Sequence, residues 1–398
     1  MKFAVIVPDG AADLALDELG GRTPLEAAYT PAMDGLAARG ETGMVRTIPA
    51  GLEPGSDVAN LSVLGYDPSR VYSGRAPLEA AARGIDLGPG EWAWRVNFVT
   101  EADGVLADYS AGHVSAKEAE ALLGELAAKL APAGYDFVPG VGYRNLLIVR
   151  SGEDFSKVKT TPPHDIQGRR YKRYLPKGAG ARPLKELVTR SLELLDSHEL
   201  NRVRADLGEN PANMIWIWGG GERPELPSFR ETYGLEAAVI SAVDLVKGIA
   251  RVAGMAVIEV PGATGYIDTD YAAKGEAAVK ALGEYDLVFV HVEAPDEAAH
   301  NGWVDKKVEA IERIDKDVVT PIAAALEAAG EHRILVLPDH QTPISTRTHT
   351  AEPVPYALAG TGVEPSRAAG FSELAAAVSG VTIANGHELM RRLVGGDA

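Results

Sequence analysis

The sequence predicts an α/β protein: a mostly parallel sheet sandwiched by helices, with a smaller α+β domain inserted into it. Three observations carry this expectation. Short β-branched runs alternate with Ala-rich stretches, the pattern of strand–helix–strand units. Three separate apolar runs end in Pro-Asp, which places three carboxylates at strand ends. A long basic loop and a block of paired-strand patterns interrupt the alternation in the middle of the chain.

The elements follow in chain order. Met1-Lys2-Phe3-Ala4-Val5-Ile6-Val7-Pro8-Asp9 opens with an apolar run too short for a signal peptide core, so Phe3–Val7 reads as a strand. A helix is expected over Pro31–Arg39. Trp92–Thr100 and Gly104–Ser110 read as paired strands, followed by a helix over about Ser115–Leu130 with Ser115 as its cap and Glu118 and Glu120 behind it. Tyr143–Arg150 reads as another strand, and Thr160–Lys177 as a loop rich in Pro, Arg and Lys. Further strands are expected at Met214–Trp218, Ala256–Val260, Leu287–Val292 and Ile334–Leu337. Helices are expected over Ala272–Leu282 and Val304–Ala329, the latter stopped by Gly330. The inserted domain is expected over 82–190, leaving 1–81 and 191–398 as one discontinuous domain. Trp216 and Trp218 alternate as packing residues would, and Gly219-Gly220-Gly221 reads as a turn.

The chain has 398 residues, 46% hydrophobic and 24% charged, enough for two cores and too apolar for disorder. Its formal charge of −17 argues against nucleic acid or an anionic membrane surface as partner. With no Cys, disulfide scaffolds, thiolate metal sites and Cys nucleophiles are excluded. No stretch approaches the roughly 20 apolar residues of a membrane span. A cytoplasmic enzyme acting on a small molecule is the expectation, with a homo-oligomer left open.

The three Pro-Asp ends carry the chemistry: Asp9, Asp296 and Asp339. In open α/β sheets ligands bind beyond the carboxyl ends of strands. Three carboxylates gathered at one edge repel, and a bound cation is the simplest relief. Any one alone is more simply a turn or helix-cap Asp. Together, they come with imidazoles. Asp296 and His300 share one face if helical, Asp339 and His340 are adjacent, and His349 follows on a loop. Adjacent side chains just past a strand point different ways, so Asp339 and His340 could serve two different ions. Mixed carboxylate and imidazole ligands suit Mn²⁺ or Zn²⁺, with Mg²⁺ less natural beside His.

Ser56, in Glu53-Pro54-Gly55-Ser56-Asp57-Val58-Ala59-Asn60-Leu61, is a candidate nucleophile. Gly55 would allow an unusual backbone angle, and a following helix would aim N–H groups at the hydroxyl. An ordinary N-cap serine explains the same residues. No Gly-x-Ser-x-Gly elbow suggests a His–Asp relay.

Asp9, Gly55-Ser56-Asp57, Asp296-x-x-x-His300, Asp339-His340 and His349 resemble the metal-ligand set of the alkaline phosphatase superfamily. Within it the sequence is most similar to the archaeal-type cofactor-independent phosphoglycerate mutases. Thr23-Pro24-Leu25-Glu26-Ala27-Ala28, Leu64-Gly65-Tyr66-Asp67-Pro68, Gly74-Arg75, Pro227-Ser228-Phe229, Gly262-Ala263-Thr264-Gly265 and Pro353-Val354-Pro355 extend the resemblance along essentially the whole chain. It implies an alkaline-phosphatase-like fold and two divalent metal ions without an organic cofactor. Asp296, His300 and His349 would hold one ion; Asp9, Ser56, Asp339 and His340 the other. Ser56 would take the phosphoryl group from 3-phosphoglycerate and return it to the 2-hydroxyl. The chain departs from many relatives in carrying Asn60 where they carry His.

Thr161-Pro162-Pro163-His164-Asp165-Ile166, Asn210-Pro211-Ala212-Asn213 and Arg347-Thr348-His349 resemble a bacterial subgroup also described as proposed homoserine kinases, which makes a homoserine-kinase-like phosphotransferase the alternative. No Gly-x-x-x-x-Gly-Lys-[Ser/Thr] loop or protein-kinase motif set favours ATP use. A metal-dependent phosphatase and a scaffold with a structural metal remain the other readings. For substrate, Arg169, Arg170 and Arg173 could clamp a carboxylate or phosphate, or simply form a solvated basic loop. His164 and Asp165 beside them, Lys274, and Arg95 complete the candidates.

Overall fold

The structure, a computed structural model, describes residues 1–366 and 368–395. The chain forms two compact units, Met1–Tyr72 with Glu225–Ala398, and Ser73–Pro224. In chain order the strands are β1 Lys2–Pro8, β2 Glu41–Val45, β3 Trp92–Ala102, β4 Val105–Asp108, β5 Tyr135–Val141, β6 Arg144–Val149, β7 Met214–Glu222, β8 Ala237–Ile240, β9 Ala256–Val257, β10 Leu287–Val292, β11 His332–Val336, β12 Val354–Gly360 and β13 Thr382–Ile383.

The larger unit is built on an eight-stranded sheet in the order β13-β2-β12-β11-β1-β10-β8-β9. Strands β11, β1, β10, β8 and β9 pair in parallel, and β12 runs against both its neighbours. Central strands β1 and β10 are buried along nearly their whole length, so they read as unbroken apolar runs rather than alternating ones. One face packs on helices Pro31–Arg39, Tyr271–Ala281 and Thr320–Ala329 through Ile6, Met33, Leu36, Ala278, Val290, Ile322 and Val336. The expected helix over Val304–Ala329 runs as Val304–Ile314 and Thr320–Ala329, joined by a wider π turn at Asp315–Val319. Inside that turn Asp315 accepts the N–H groups of Ala32 and Met33 and so caps another helix. Among the described residues, no helix is long and apolar enough to cross a membrane.

The smaller unit is an antiparallel sheet in which β3 pairs with β4, β6 and β7, and β5 pairs with β6. Helix Ala116–Leu130 starts at Ser115, whose side chain accepts from the Glu118 N–H while Glu118 bonds back to the Ser115 N–H. The expected boundaries of 82 and 190 fall short on both sides. Helix Arg75–Ala82 packs on β3 and β7, and β7 itself is the antiparallel neighbour of β3. Met214–Trp218 therefore belongs to the smaller sheet. Its backbone continues as strand through Gly219–Gly221, where a turn was expected. A side chain at Gly220 would stand 2.2 Å from the Trp94 ring, so only glycine lets the strand pass.

Candidate metal centre

The strand order explains how distant residues meet. β11, β1 and β10 are adjacent and parallel, so their carboxyl ends lie side by side at one edge of the sheet. Asp9 directly follows β1, Asp339 lies three residues beyond β11, and Asp296 stands on the helix Ala294–Asn301 that follows β10. The carboxylates and imidazoles form two groups, Asp296–His300–His349 and Asp9–Asp339–His340, each with ligand atoms within 4.8 Å of one another.

In the first group His300 lies one turn after Asp296, its Nε2 3.1 Å from Asp296 Oδ2. His300 Nδ1 donates to the Arg347 carbonyl at 2.9 Å, which leaves Nε2 to face inward. His349 Nε2 lies 3.0 Å from that same Nε2 and 3.6 Å from Asp296 Oδ1. Burial works against the Asp296 charge, but the hydrogen bonds from His300 and His349 hold its pKa well below the carboxylate range. The Asp296 hydrogen bond in turn pushes the His300 pKa up to about 9.

In the second group Asp9 is fully buried, and neither of its oxygens accepts a hydrogen bond. His291 Nε2 approaches Oδ2 to 3.1 Å and His340 Nε2 approaches Oδ1 to 3.4 Å, in both cases without hydrogen-bond geometry. Burial, and then the charges of Asp339, Asp296 and Glu293, push the Asp9 pKa well above the usual carboxylate range. Asp339 is better provided for. Its Oδ1 accepts from the Gly10 and His340 N–H groups, and its Oδ2 from Asn60 Nδ2 at 2.8 Å. Because the chain bends after β11 instead of staying extended, adjacent Asp339 and His340 face the same group, not two different ions.

Ser56 is the first residue of helix Ser56–Val63, and Gly55 occupies the cap position. Ser56 therefore does not cap this helix. Gly55, with φ of 177°, is extended backbone open to any residue, so the position needs no glycine. The Ser56 hydroxyl instead lies 3.2 Å from His340 Nε2. Asn60, one turn on, donates to the Ser56 carbonyl at 2.9 Å as well as to Asp339, tying this helix to the second group.

The donor set fits divalent cations. Bare carboxylate oxygens and inward-facing imidazole nitrogens converge in a buried space, and only a cation or extra protons relieve them. Gly10 shows how tight the space is. Its φ is +61°, and a Cβ there would sit 2.4 Å from Asp296 Oδ1 and 2.7 Å from Thr342 Oγ1.

The expected substrate residues divide differently. Lys274 is fully buried, with Nζ donating to the His291 carbonyl at 3.2 Å, and so supports the end of β10 from inside. Burial lowers its pKa to about 8. Arg169, Arg170 and Arg173 are exposed on the smaller unit. In that unit His164 stacks edgewise on Trp218, and Asp165 Oδ1 lies 3.7 Å from its Nε2. The Arg95 guanidinium lies 4.3 Å above the same Trp218 ring and pairs with Glu79. Burial lowers the His164 pKa; Asp165 opposes this, and Arg95, Arg75 and Arg144 reinforce it. Sequence reasoning missed Thr342, Lys307, Gly10 and His291. A Thr two residues beyond Asp339-His340 was the one available signal, and nothing local marks the others.

Fold and site together define an α/β enzyme with two candidate cation clusters at the carboxyl edge of a mostly parallel sheet and a serine hydroxyl beside them. The profile of 2,3-bisphosphoglycerate-independent phosphoglycerate mutase matches residues 37–201. A protein of that name from Methanothrix thermoacetophila is 51% identical over 397 residues, covering 100% of both chains. Another from Methanosarcina acetivorans is 52% identical over 360 residues, 90% of each. Among solved structures, a cofactor-independent phosphoglycerate mutase from Thermoplasma acidophilum superposes with TM-score 0.69 at 29% identity, over 99% of both chains. A Pyrococcus horikoshii protein superposes with TM-score 0.83 at 32% identity, over 100% of this chain and 98% of that one. The chain belongs to the 2,3-bisphosphoglycerate-independent phosphoglycerate mutase family. The homoserine kinase alternative finds no support among these relatives and is set aside.

Proposed function

We propose that the enzyme interconverts 3-phosphoglycerate and 2-phosphoglycerate through a phosphoserine at Ser56, without 2,3-bisphosphoglycerate. The observation that carries this reading is the Ser56 hydroxyl at a helix N-terminus, 3.2 Å from His340 Nε2 and beside the second ligand group. Asp296, His300 and His349 hold one divalent cation, and Asp9, Asp339 and His340 with Ser56 hold the other, Mn²⁺ or Zn²⁺ by donor type. Two such cations supply the positive charge that lowers a hydroxyl pKa and offsets charge on a transferring phosphoryl group.

The residues of the chain account for the rest. Ser56 Oγ forms a bond to phosphorus as the bond to the glycerate 3-oxygen breaks; the serine gives up one proton and the 3-oxygen takes one up. The 2-oxygen then attacks the phosphoserine, the Oγ–phosphorus bond breaks, and the proton balance reverses. Ser56 opens its helix, and the positive end of the helix dipole favours an anion on that side chain. Asn60 keeps Asp339 in register with that turn. In the smaller unit we assign the anionic substrate to His164 in the field of Arg75, Arg95 and Arg144, with Asp165, Arg169, Arg170 and Arg173 at the exposed rim. Excluding water keeps the phosphoserine for the glycerate. A charged phosphorylated substrate is held inside the cell, so we place the enzyme in the cytoplasm.

The test is an enolase-coupled assay with 3-phosphoglycerate and Mn²⁺, lacking both ATP and 2,3-bisphosphoglycerate. Turnover is expected. Metal-loaded protein with no turnover under these conditions sinks the reading.

A further inference from the structure

Beneath the two ligand groups lies a residue that serves both. Thr342 is fully buried, and its single hydroxyl proton goes to Asp296 Oδ1, at 2.5 Å. The oxygen is then free only to accept, and His340 Nδ1 stands 3.1 Å from it. A hydroxyl that has spent its proton on a carboxylate forces the imidazole to be the donor, so His340 carries its proton on Nδ1. That leaves the lone pair on Nε2, the atom that points at Ser56 and Asp9.

The hydroxyl has no freedom to leave. The Thr342 N–H donates to the Ala12 carbonyl at 3.1 Å. Its own carbonyl accepts from Lys307 Nζ at 2.9 Å; that ammonium is fully buried and paired with Asp13 at 2.7 Å. The missing side chain of Gly10 makes the room, since a Cβ there would stand 2.7 Å from Thr342 Oγ1.

We infer that Thr342 is a positioning residue for both cation sites at once: it sets the His340 tautomer for one group and orients Asp296 for the other. The inference rests on the reading that these groups hold two cations. Losing the hydroxyl removes a donor from Asp296 and strands a buried imidazole N–H. Partners of this kind are typically worth ~10–100-fold in metal affinity. The loss should appear at both sites and not at one.

Two measurements on the full chain test this. In the first, Mn²⁺ is titrated calorimetrically into metal-free wild type, Thr342→Val and Thr342→Ser. The wild type is expected to bind two ions. Thr342→Val should weaken both steps by ~10–100-fold, and Thr342→Ser should restore them. Two wild-type steps that Thr342→Val leaves unchanged, or only one of them weakened, overturn the inference while leaving the two-cation reading intact. Fewer than two ions in wild type overturns that reading, and the inference with it. The second measurement needs no variant: ¹⁵N NMR of the histidines in wild type reads the His340 tautomer directly. A proton on Nδ1 supports the assignment, and a proton on Nε2 overturns it.

Discussion

His300 Nε2 and His349 Nε2 face each other at 3.0 Å, two imidazole nitrogens held closer than two lone pairs tolerate. A hydrogen must lie between or beside them. With His300 Nδ1 donating to the Arg347 carbonyl, either His349 supplies it or His300 is doubly protonated, the form that its Asp296 hydrogen bond favours.

This gives a pH dependence with a definite sign. His300 is raised from 6.5 to about 9, foremost by its Asp296 hydrogen bond, and Glu293 from 4.5 to about 8, foremost by burial. Both bind protons more tightly folded than unfolded, so the stability they contribute is present at low pH and lost as pH rises. Between pH 6.5 and 8 both act together. The metal-free protein should therefore lose melting temperature across this interval, and saturating Mn²⁺ should abolish the slope. A melting series that rises instead contradicts the assignment.

Ser56→Ala should eliminate turnover, with a fall in kcat of at least ~10³-fold. The cap of its helix is Gly55, so folding stability should shift by less than ~0.5 kcal/mol. Elemental analysis should still find bound metal. Intact turnover would show that another group carries the phosphoryl.

Gly10→Ala puts a methyl group against Asp296 and Thr342 and strains a backbone angle of +61°. We expect Mn²⁺ affinity to fall by ~10-fold or more with the fold retained, as read by calorimetry beside circular dichroism. Wild-type affinity would mean that the crowding is relieved elsewhere.

Lys307→Met removes one partner of a fully buried ion pair and leaves Asp13 charged in the interior. The cost should be ~3–5 kcal/mol in urea denaturation. Adding Asp13→Asn should recover part of it. A cycle in which the two losses simply add would show that the pair is not coupled.

Much of the candidate site was legible because its chemistry is local. A Pro-Asp ending each of three apolar runs says that carboxylates sit at strand ends, and parallel strands bring those ends together. The partners were not legible because they are distant in sequence: Asn60 reaches Asp339 across 279 positions, and Lys307 reaches Asp13 across 294. Strand β2, Glu41–Val45, carries Gly and Thr and shows no alternation, so only its place between β12 and β13 makes it a strand. Met214–Glu222 has strand composition, but composition cannot say which sheet a strand joins. The basic loop misled the boundary, since a change in charge need not coincide with a change of core.

The order of the large sheet also governs how the protein is made. β1 leaves the ribosome first, yet its neighbours β10 and β11 lie about 280 and 325 residues later. At ~5–20 residues per second, the nascent amino-terminal strand waits on the order of 15–60 s for its first partner. The contiguous Ser73–Pro224 stretch faces no such wait. Synthesis interrupted before Leu287 therefore yields a chain whose first apolar strand has no parallel neighbour to pair with, a natural client for a chaperone.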